Sequence, residues 1–399
     1  MTTTRIAPRL LTLGAALIFV AAACNKGGTA STAPTPGAGG SYPPFAPDAT
    51  LLAAAKAEGT LTTIALPHDW CNYGQIEGAA KNPNNVIDIF KARTGLAVNE
   101  LSPLAGSGDE IEAIKTNKDN KGPQAPDVVD VGLSFGPSGK TEGLFMPYKV
   151  ATWDTIPADV KDADGAWYGD YYGVFSFEVN TTLVPNVPKD WSDLLKPEYK
   201  GKIALAGDPR VSSQAILSVY ASGLANGGSL DDATKGLDFF KQLKDSGNLI
   251  PGVIASATTV ANGETPITIR WTYNALAGRD ATSAAGGPKI EVVVPTSGRF
   301  GGVYVQAISA YAPHPNAAKL WMEFLYSDEG QNMWLNGYCV PIRYPDLVKG
   351  NKIPAAAQAK LPDVTGTVFP SLTQLAAAKT LITTKWDSVV GINYPTPAP

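Results

Sequence analysis

Histidine is almost missing from this sequence: His68 and His314 are the two in 399 residues. That supply leaves little for acid–base catalysis or metal ligation, and neither a metal nor any other cofactor is assigned. Charge is also sparse. Asp, Glu, Lys and Arg make up 17% of the chain, the formal net charge is −4 and the pI is near 5.4. With no basic field, a nucleic-acid partner is excluded from the expectations. No His-Glu-x-x-His pair and no complete Walker loop occurs, and no catalytic residue or nucleophile elbow is assigned.

Long apolar runs are missing too, with one exception. Arg5 and Arg9 precede an apolar stretch from Leu10 to Val20. It is too short for a settled transmembrane helix and has the layout of an export signal. Ala21-Ala22-Ala23-Cys24 comes next, small residues before a cysteine as in a bacterial lipobox. The expectation is a lipoprotein signal peptide over 1–23, with Cys24 lipidated; an ordinary secretory signal cleaved nearby is the alternative. Loss of 1–23 removes two arginines and no acid, which takes the net charge from −4 to −6. Residues 24–47 are rich in Gly, Ala, Ser, Thr and Pro and read as a flexible tether. The body is placed at the cell envelope, on its periplasmic or extracellular face.

Beyond the tether, strand, loop and helix alternate. Leu61–Leu66, Leu96–Leu101 and Pro126–Val131 are β-rich, and helical patterns over Val86–Arg93 and Asp109–Thr116 separate them. This is the pattern of a parallel α/β sheet, whose ligands sit at the carboxyl ends of strands. The exit loops therefore supply candidate binding residues: Asp69, Trp70 and Tyr73, then Ser107 and Gly108, then Ser134. Further on, Trp167–Asn180 is aromatic and extended, with Tyr171 and Tyr172 near its start. Ile267–Arg270 is a strand whose exit, Trp271, Tyr273 and Asn274, mirrors the first loop. A length of 399 residues suits two domains.

The stretch from Trp191 to Arg210 organises the second half. Trp191, Leu194 and Leu195 share one side of a short helical segment, which Pro197 and Gly201 stop. Lys202–Ala206 reads as a buried strand, Gly207-Asp208-Pro209 as a turn, and Ser212 and Ser213 as caps for the next helix. A strand, a polar turn and a helix start make a site for an anion or a polar ligand group, which adds Asp208, Arg210, Ser212 and Ser213. The run Trp191, then Asp193-Leu194-Leu195-Lys196-Pro197-Glu198-Tyr199-Lys200-Gly201-Lys202-Ile203, then Asp208-Pro209, resembles the second-lobe entry of bacterial extracellular solute-binding proteins of ABC importers. Pro315–Trp321, Ser327–Gln331, Gly337-Tyr338 and Pro341-Ile342-Arg343 extend the resemblance, which spans roughly Glu58 to Tyr344. The similar branch includes ferric-iron, polyamine and aminoethylphosphonate binders.

The resemblance implies an α/β, two-lobed periplasmic-binding-protein fold (type II-like), with a cleft between lobes joined by crossing strands. The expected division is 48–174 with 302–344 for lobe 1, 175–301 for lobe 2, and 345–399 as a helical segment packed on the lobes. The implied partners are a small-molecule solute and ABC permease subunits in the inner membrane, with a lipid anchor and a monomeric body. Two cysteines remain in that body, Cys71 and Cys339, and the oxidising compartment suggests one disulfide. The resemblance puts both in loops near the cleft side of lobe 1; two free thiols are the alternative. A carboxylate among aromatic faces (Asp69, Trp70, Trp271, Tyr273) suits a polyamine-like organic cation. Ser107-Gly108, Arg210–Ser213 and Arg270 would instead suit a phosphonate, a phosphate ester or an anion bound with ferric iron. A secreted enzyme and a surface sensor on the same scaffold are the rival classes.

Overall fold

The structure is a computed structural model that describes residues 40–76 and 81–395. The signal segment 1–23, Cys24 and the tether up to residue 39 lie outside the described residues. The strands are β1 Thr60–Ile64, β2 Ala97–Leu101, β3 Val128–Gly132, β4 Phe145–Met146, β5 Tyr168–Asn180, β6 Ile203–Leu205, β7 Ile267–Trp271, β8 Ile290–Val293, β9 Gly301–Ser309 and β10 Val340–Pro341. The α-helices are α1 Ala49–Glu58, α2 Val86–Thr94, α3 Ser107–Asn117, α4 Phe135–Thr141, α5 Ser213–Ala225, α6 Thr234–Asp245, α7 Ala257–Asn262, α8 Thr272–Ala284, α9 Pro315–Leu325, α10 Asp328–Asn336, α11 Tyr344–Lys349, α12 Ala355–Gln358 and α13 Leu372–Val389.

One long strand ties the molecule together. The first part of β5 pairs with β9, and the second part pairs with β7 and β8. The partner changes between Val174, opposite Gly301, and Phe175, opposite Trp271. β9 runs back antiparallel to β5 and continues against β3. The result is a mixed α/β molecule whose order β3-β9-β5-β7-β6 crosses from one lobe to the other. Among the described strands the parallel pairs are β1 with β2 and β6 with β7. The expected crossing strands are antiparallel, because a strand that leaves a lobe and one that returns beside it run in opposite directions.

The Trp191 stretch folds as its residues dictate. Asp190 accepts from the Trp191 N–H at 2.8 Å and opens a 3-10 turn over Trp191–Leu195. Trp191 and Leu194 are fully buried, Gly201 turns the chain at φ 66°, and β6 is buried along its length. Ser212 caps α5 by accepting from the Ala215 N–H. Trp191 packs edge-on to Phe177 of β5 and to Phe239 of α6, so this entry segment is anchored to the crossing strand. Truncating such a ring typically costs about 3–5 kcal/mol.

Two loops expected from the sequence are helical. α8 starts at Thr272, directly after β7, and α4 starts at Phe135. The Trp-Thr-Tyr sequence is a poor helix starter, but alanines at 275, 277, 281 and 284 favour continuation. Burial of Thr272, Tyr273, Asn274 and Ala275 decides the outcome. Cys71 and Cys339 are joined by a disulfide, with 5.3 Å between their Cα atoms across 268 residues of sequence. Among the described residues no helix is long and apolar enough to cross a membrane.

Candidate functional site

A cavity of about 1130 Å³ lies between the lobes. The loop after β1, the β2–α3 turn and Asp130 of β3 form one side; the β6–α5 turn, the start of α7 and Arg270 of β7 form the other. Tyr304 of β9 lies on the wall as well. The two sides touch. Asp69 Oδ2 accepts from Arg270 Nη2 at 3.0 Å, and the Gly108 N–H donates to the Val211 carbonyl at 3.1 Å.

Arg270 is 3% exposed at its side chain and also donates through Nη1 to Glu178 Oε2 at 3.1 Å. Burial pushes the Glu178 carboxyl up to about 7, against the pull of Arg270. Arg210 donates to both oxygens of Asp208, between 2.7 and 3.0 Å. His68 places one ring nitrogen 2.8 Å from the Gln75 carbonyl and the other 2.7 Å from Glu100 Oε2. Both ring nitrogens thus face oxygen atoms, and the Glu100 hydrogen bond raises the pKa of the ring.

Beneath the cavity sits a group of buried acids. Tyr73 and Tyr171 each donate a hydroxyl to Asp130 Oδ2 at 2.8 Å. Glu110 accepts from the Asp130 N–H at 2.9 Å, and Gln306 donates to Asp170 at 3.0 Å. Burial lifts Asp130 to about 6. Burial first, and the neighbouring Asp130 second, hold Asp170 well above the carboxylate range; Glu110 is raised in the same way. Asp130 Oδ1 takes no hydrogen bond from an N–H or a hydroxyl, and a protonated Asp170 is the neighbour able to supply one.

Of the residues singled out from sequence, Asp69, Trp70, Ser107, Asp208, Arg210, Ser212 and Ser213 line this cavity. The others lie elsewhere. Tyr73 and Tyr273 are fully buried, and Trp271 stacks on Phe175 with 3.8 Å between ring centroids. Asn274 is fully buried in α8. Tyr172 packs edge-on to Phe369, while its neighbour Tyr171 turns to Asp130, so the two tyrosines do not form an iron-binding pair. Gly108 is a point of contact between lobes. His314 is held by Asp127 at 2.8 Å at the start of α9.

Ser134 precedes α4 and is not on the cavity wall. The spacing Gly132-Leu133-Ser134-Phe135-Gly136 does match Gly-x-Ser-x-Gly, although no elbow was expected there. The match lacks the geometry of a nucleophile elbow. Ser134 has φ −66° and ψ −18°, an ordinary helical conformation rather than a strained elbow. Both histidines are engaged by acids elsewhere. Glu110, Asp130, Gln214, Tyr304 and Tyr394 also line the cavity and were missed. Asp130 had a signal, an acid inside the apolar run Val128–Val131; Tyr394 had none.

A family model described as bacterial extracellular solute-binding protein matches residues 124–365. The chain belongs to that family. This solute-binding protein is 30% identical over 251 residues to an uncharacterised protein of Haemophilus influenzae, covering 58% of this chain and 66% of the relative, just under two thirds. It is 26% identical over 257 residues to the spermidine/putrescine-binding periplasmic protein of Escherichia coli, covering 61% and 69%. The periplasmic binding protein AfuA of Actinobacillus pleuropneumoniae, solved with fructose-6-phosphate, superposes with a TM-score of 0.61 at 23% identity over 84% of this chain and 99% of that one. This likeness shows the two-lobed periplasmic-binding-protein fold.

Proposed function

We propose that this protein is the solute-capturing component of an ABC importer and that its solute is a small, polyamine-like organic cation. The observation that carries the reading is the pairing of charges on the cavity wall. Arg210 is paired with Asp208, Arg270 with Asp69 and Glu178, and His68 with Glu100. Asp109 and Asp130 have no cationic partner among the described residues: Asp109 accepts from the Gly106 N–H, and Asp130 from tyrosine hydroxyls. The charges left to a solute are negative. Trp70 and Tyr304, edge-on at 5.2 Å, add aromatic surface that attracts an ammonium group. The spermidine/putrescine-binding relative is in keeping with this chemistry.

The mechanism is capture without covalent chemistry. β5 and β9 serve as the hinge, with lobes at 48–174 plus 302–344 and at 175–301. Closure around the solute adds contacts from the second lobe, and the closed form docks on the permease. ATP is hydrolysed by a separate subunit. The protein acts as a monomer, tethered through a lipid on Cys24 to the outer face of a membrane. A small anion is the second reading, because α5 begins at the cavity with no acid in its first turn and with Arg210 just before it.

Thermal unfolding with putrescine, spermidine, phosphate and fructose 6-phosphate tests the choice. A ligand at one hundred times its Kd adds about 2.7 kcal/mol of stability. Stabilisation by the amines alone is expected; stabilisation by the phosphates alone would overturn the cation reading.

A further inference from the structure

The last described residues do not leave the body of the protein. Beyond α13 the chain turns at Gly391, with φ 68°. Trp386 Nε1 donates to the Ile392 carbonyl at 2.9 Å, and the Tyr394 ring lies 6.4 Å from that of Trp386. Arg210 Nη1 donates to Asn393 Oδ1 at 3.2 Å and lies 3.6 Å from Asp387. These contacts bring Tyr394 and Pro395 onto the cavity wall with Asp208 and Arg210. Tyr394 is 6% exposed, and its hydroxyl has no hydrogen-bond partner among the described residues. Burial raises its pKa, so the phenol stays neutral. The family match ends at residue 365, so this tail lies outside it.

We propose that the C-terminal tail is part of the solute-binding site and that Tyr394 contacts the bound solute. The inference rests on the cavity being the solute site. A buried hydroxyl without a partner is unfavourable, and a polar group of a solute in the cavity can satisfy it. Toward an organic cation the phenol oxygen accepts from an ammonium N–H; the ring closes the wall beside Arg210. Arg210 thereby joins the tail to the β6–α5 turn: it holds Asp208 on one side and Asn393 on the other. The tail is a wall of the site and sets which solutes fit against it.

Calorimetric titration with putrescine, on the wild-type protein and on the Tyr394→Phe and Tyr394→Ala variants, tests the proposal. Tyr394→Phe keeps the ring and is expected to weaken binding about tenfold; Tyr394→Ala removes the wall as well and weakens it further. Thermal melts of the same proteins report whether each variant is folded. Wild-type affinity in both folded variants overturns the role of the tail and leaves the cavity reading standing. If the wild type binds fructose 6-phosphate instead, the same comparison with that probe decides in the same way. A wild type that binds neither probe overturns the solute-class reading, and this inference with it.

Discussion

Asp69 and Arg270 form an ion pair 3.0 Å long that joins the loop after β1 to strand β7 across the mouth of the site. The guanidinium is buried and the carboxylate is 22% exposed at its side chain, so the pair is made at a boundary between lobes rather than inside one. On the proposed hinge motion, a contact of this kind is lost when the lobes part.

Asp69→Ala leaves Arg270 with Glu178 alone. Removing one partner of a buried, charged hydrogen bond costs about 1–3 kcal/mol. Urea unfolding should show this loss, and small-angle scattering should show a larger mean radius of gyration. Unchanged scattering would mean that the pair does not hold the lobes together.

Gly132→Ala tests closure from the other side. A Cβ at Gly132 would lie 1.8 Å from Ser213 Oγ and 2.5 Å from its Cβ, and Ser213 begins α5. The methyl group is expected to keep α5 away from β3, lowering the closed population and weakening solute binding by about tenfold or more. Calorimetry and scattering on the same sample check it; identical values to wild type count against closure at this contact.

Asp130 predicts the pH dependence of cation binding. Its carboxyl is pushed up to about 6 by burial, so it is ionised above that pH and protonated below it. Amines with ordinary pKa values near 10 stay charged over this range. Affinity for putrescine should therefore fall as pH drops through about 6, and Asp130→Asn should flatten the profile at the low-affinity end. A wild-type affinity constant from pH 7.5 to 5 rules Asp130 out as the group that receives the cation.

The Cys71–Cys339 bond ties the loop carrying Asp69 and Trp70 to the segment before β10. Without reductant, alkylation followed by intact mass should label neither cysteine. The double Cys→Ser variant is expected to lose about 2–5 kcal/mol of stability. Full labelling of unreduced, folded protein would mean that the bond does not form.

Strand exits and helix starts were legible residue by residue. Asp69 and Trp70 come after β1, Ser107 opens α3, and Asp208, Arg210, Ser212 and Ser213 lie between β6 and α5; the cavity gathers all of them. Trp271 and Tyr273 sit at an equally plausible exit and are buried. A strand exit identifies a loop, but the direction of a ring depends on what is packed beneath it. Here that is Phe175 under Trp271, and Trp70 and Tyr171 beside Tyr273.

The two-lobed fold was implied by the family resemblance; by itself the sequence determined the alternation of strand and helix, the Trp191 segment with its strand and cap, and the loops at the strand exits. Each of these comes from local periodicity, caps and turns, which neighbouring residues specify. Tertiary structure alone decided the pairing of Asp69 with Arg270, the placement of Asp130 among tyrosines and the return of Tyr394 to the cavity. These residues are far apart in sequence, and each contact exists because β5 and β9 cross between the lobes and α13 packs against α5 and α6. No local pattern encodes such a meeting; it is set by how whole elements bury their apolar faces.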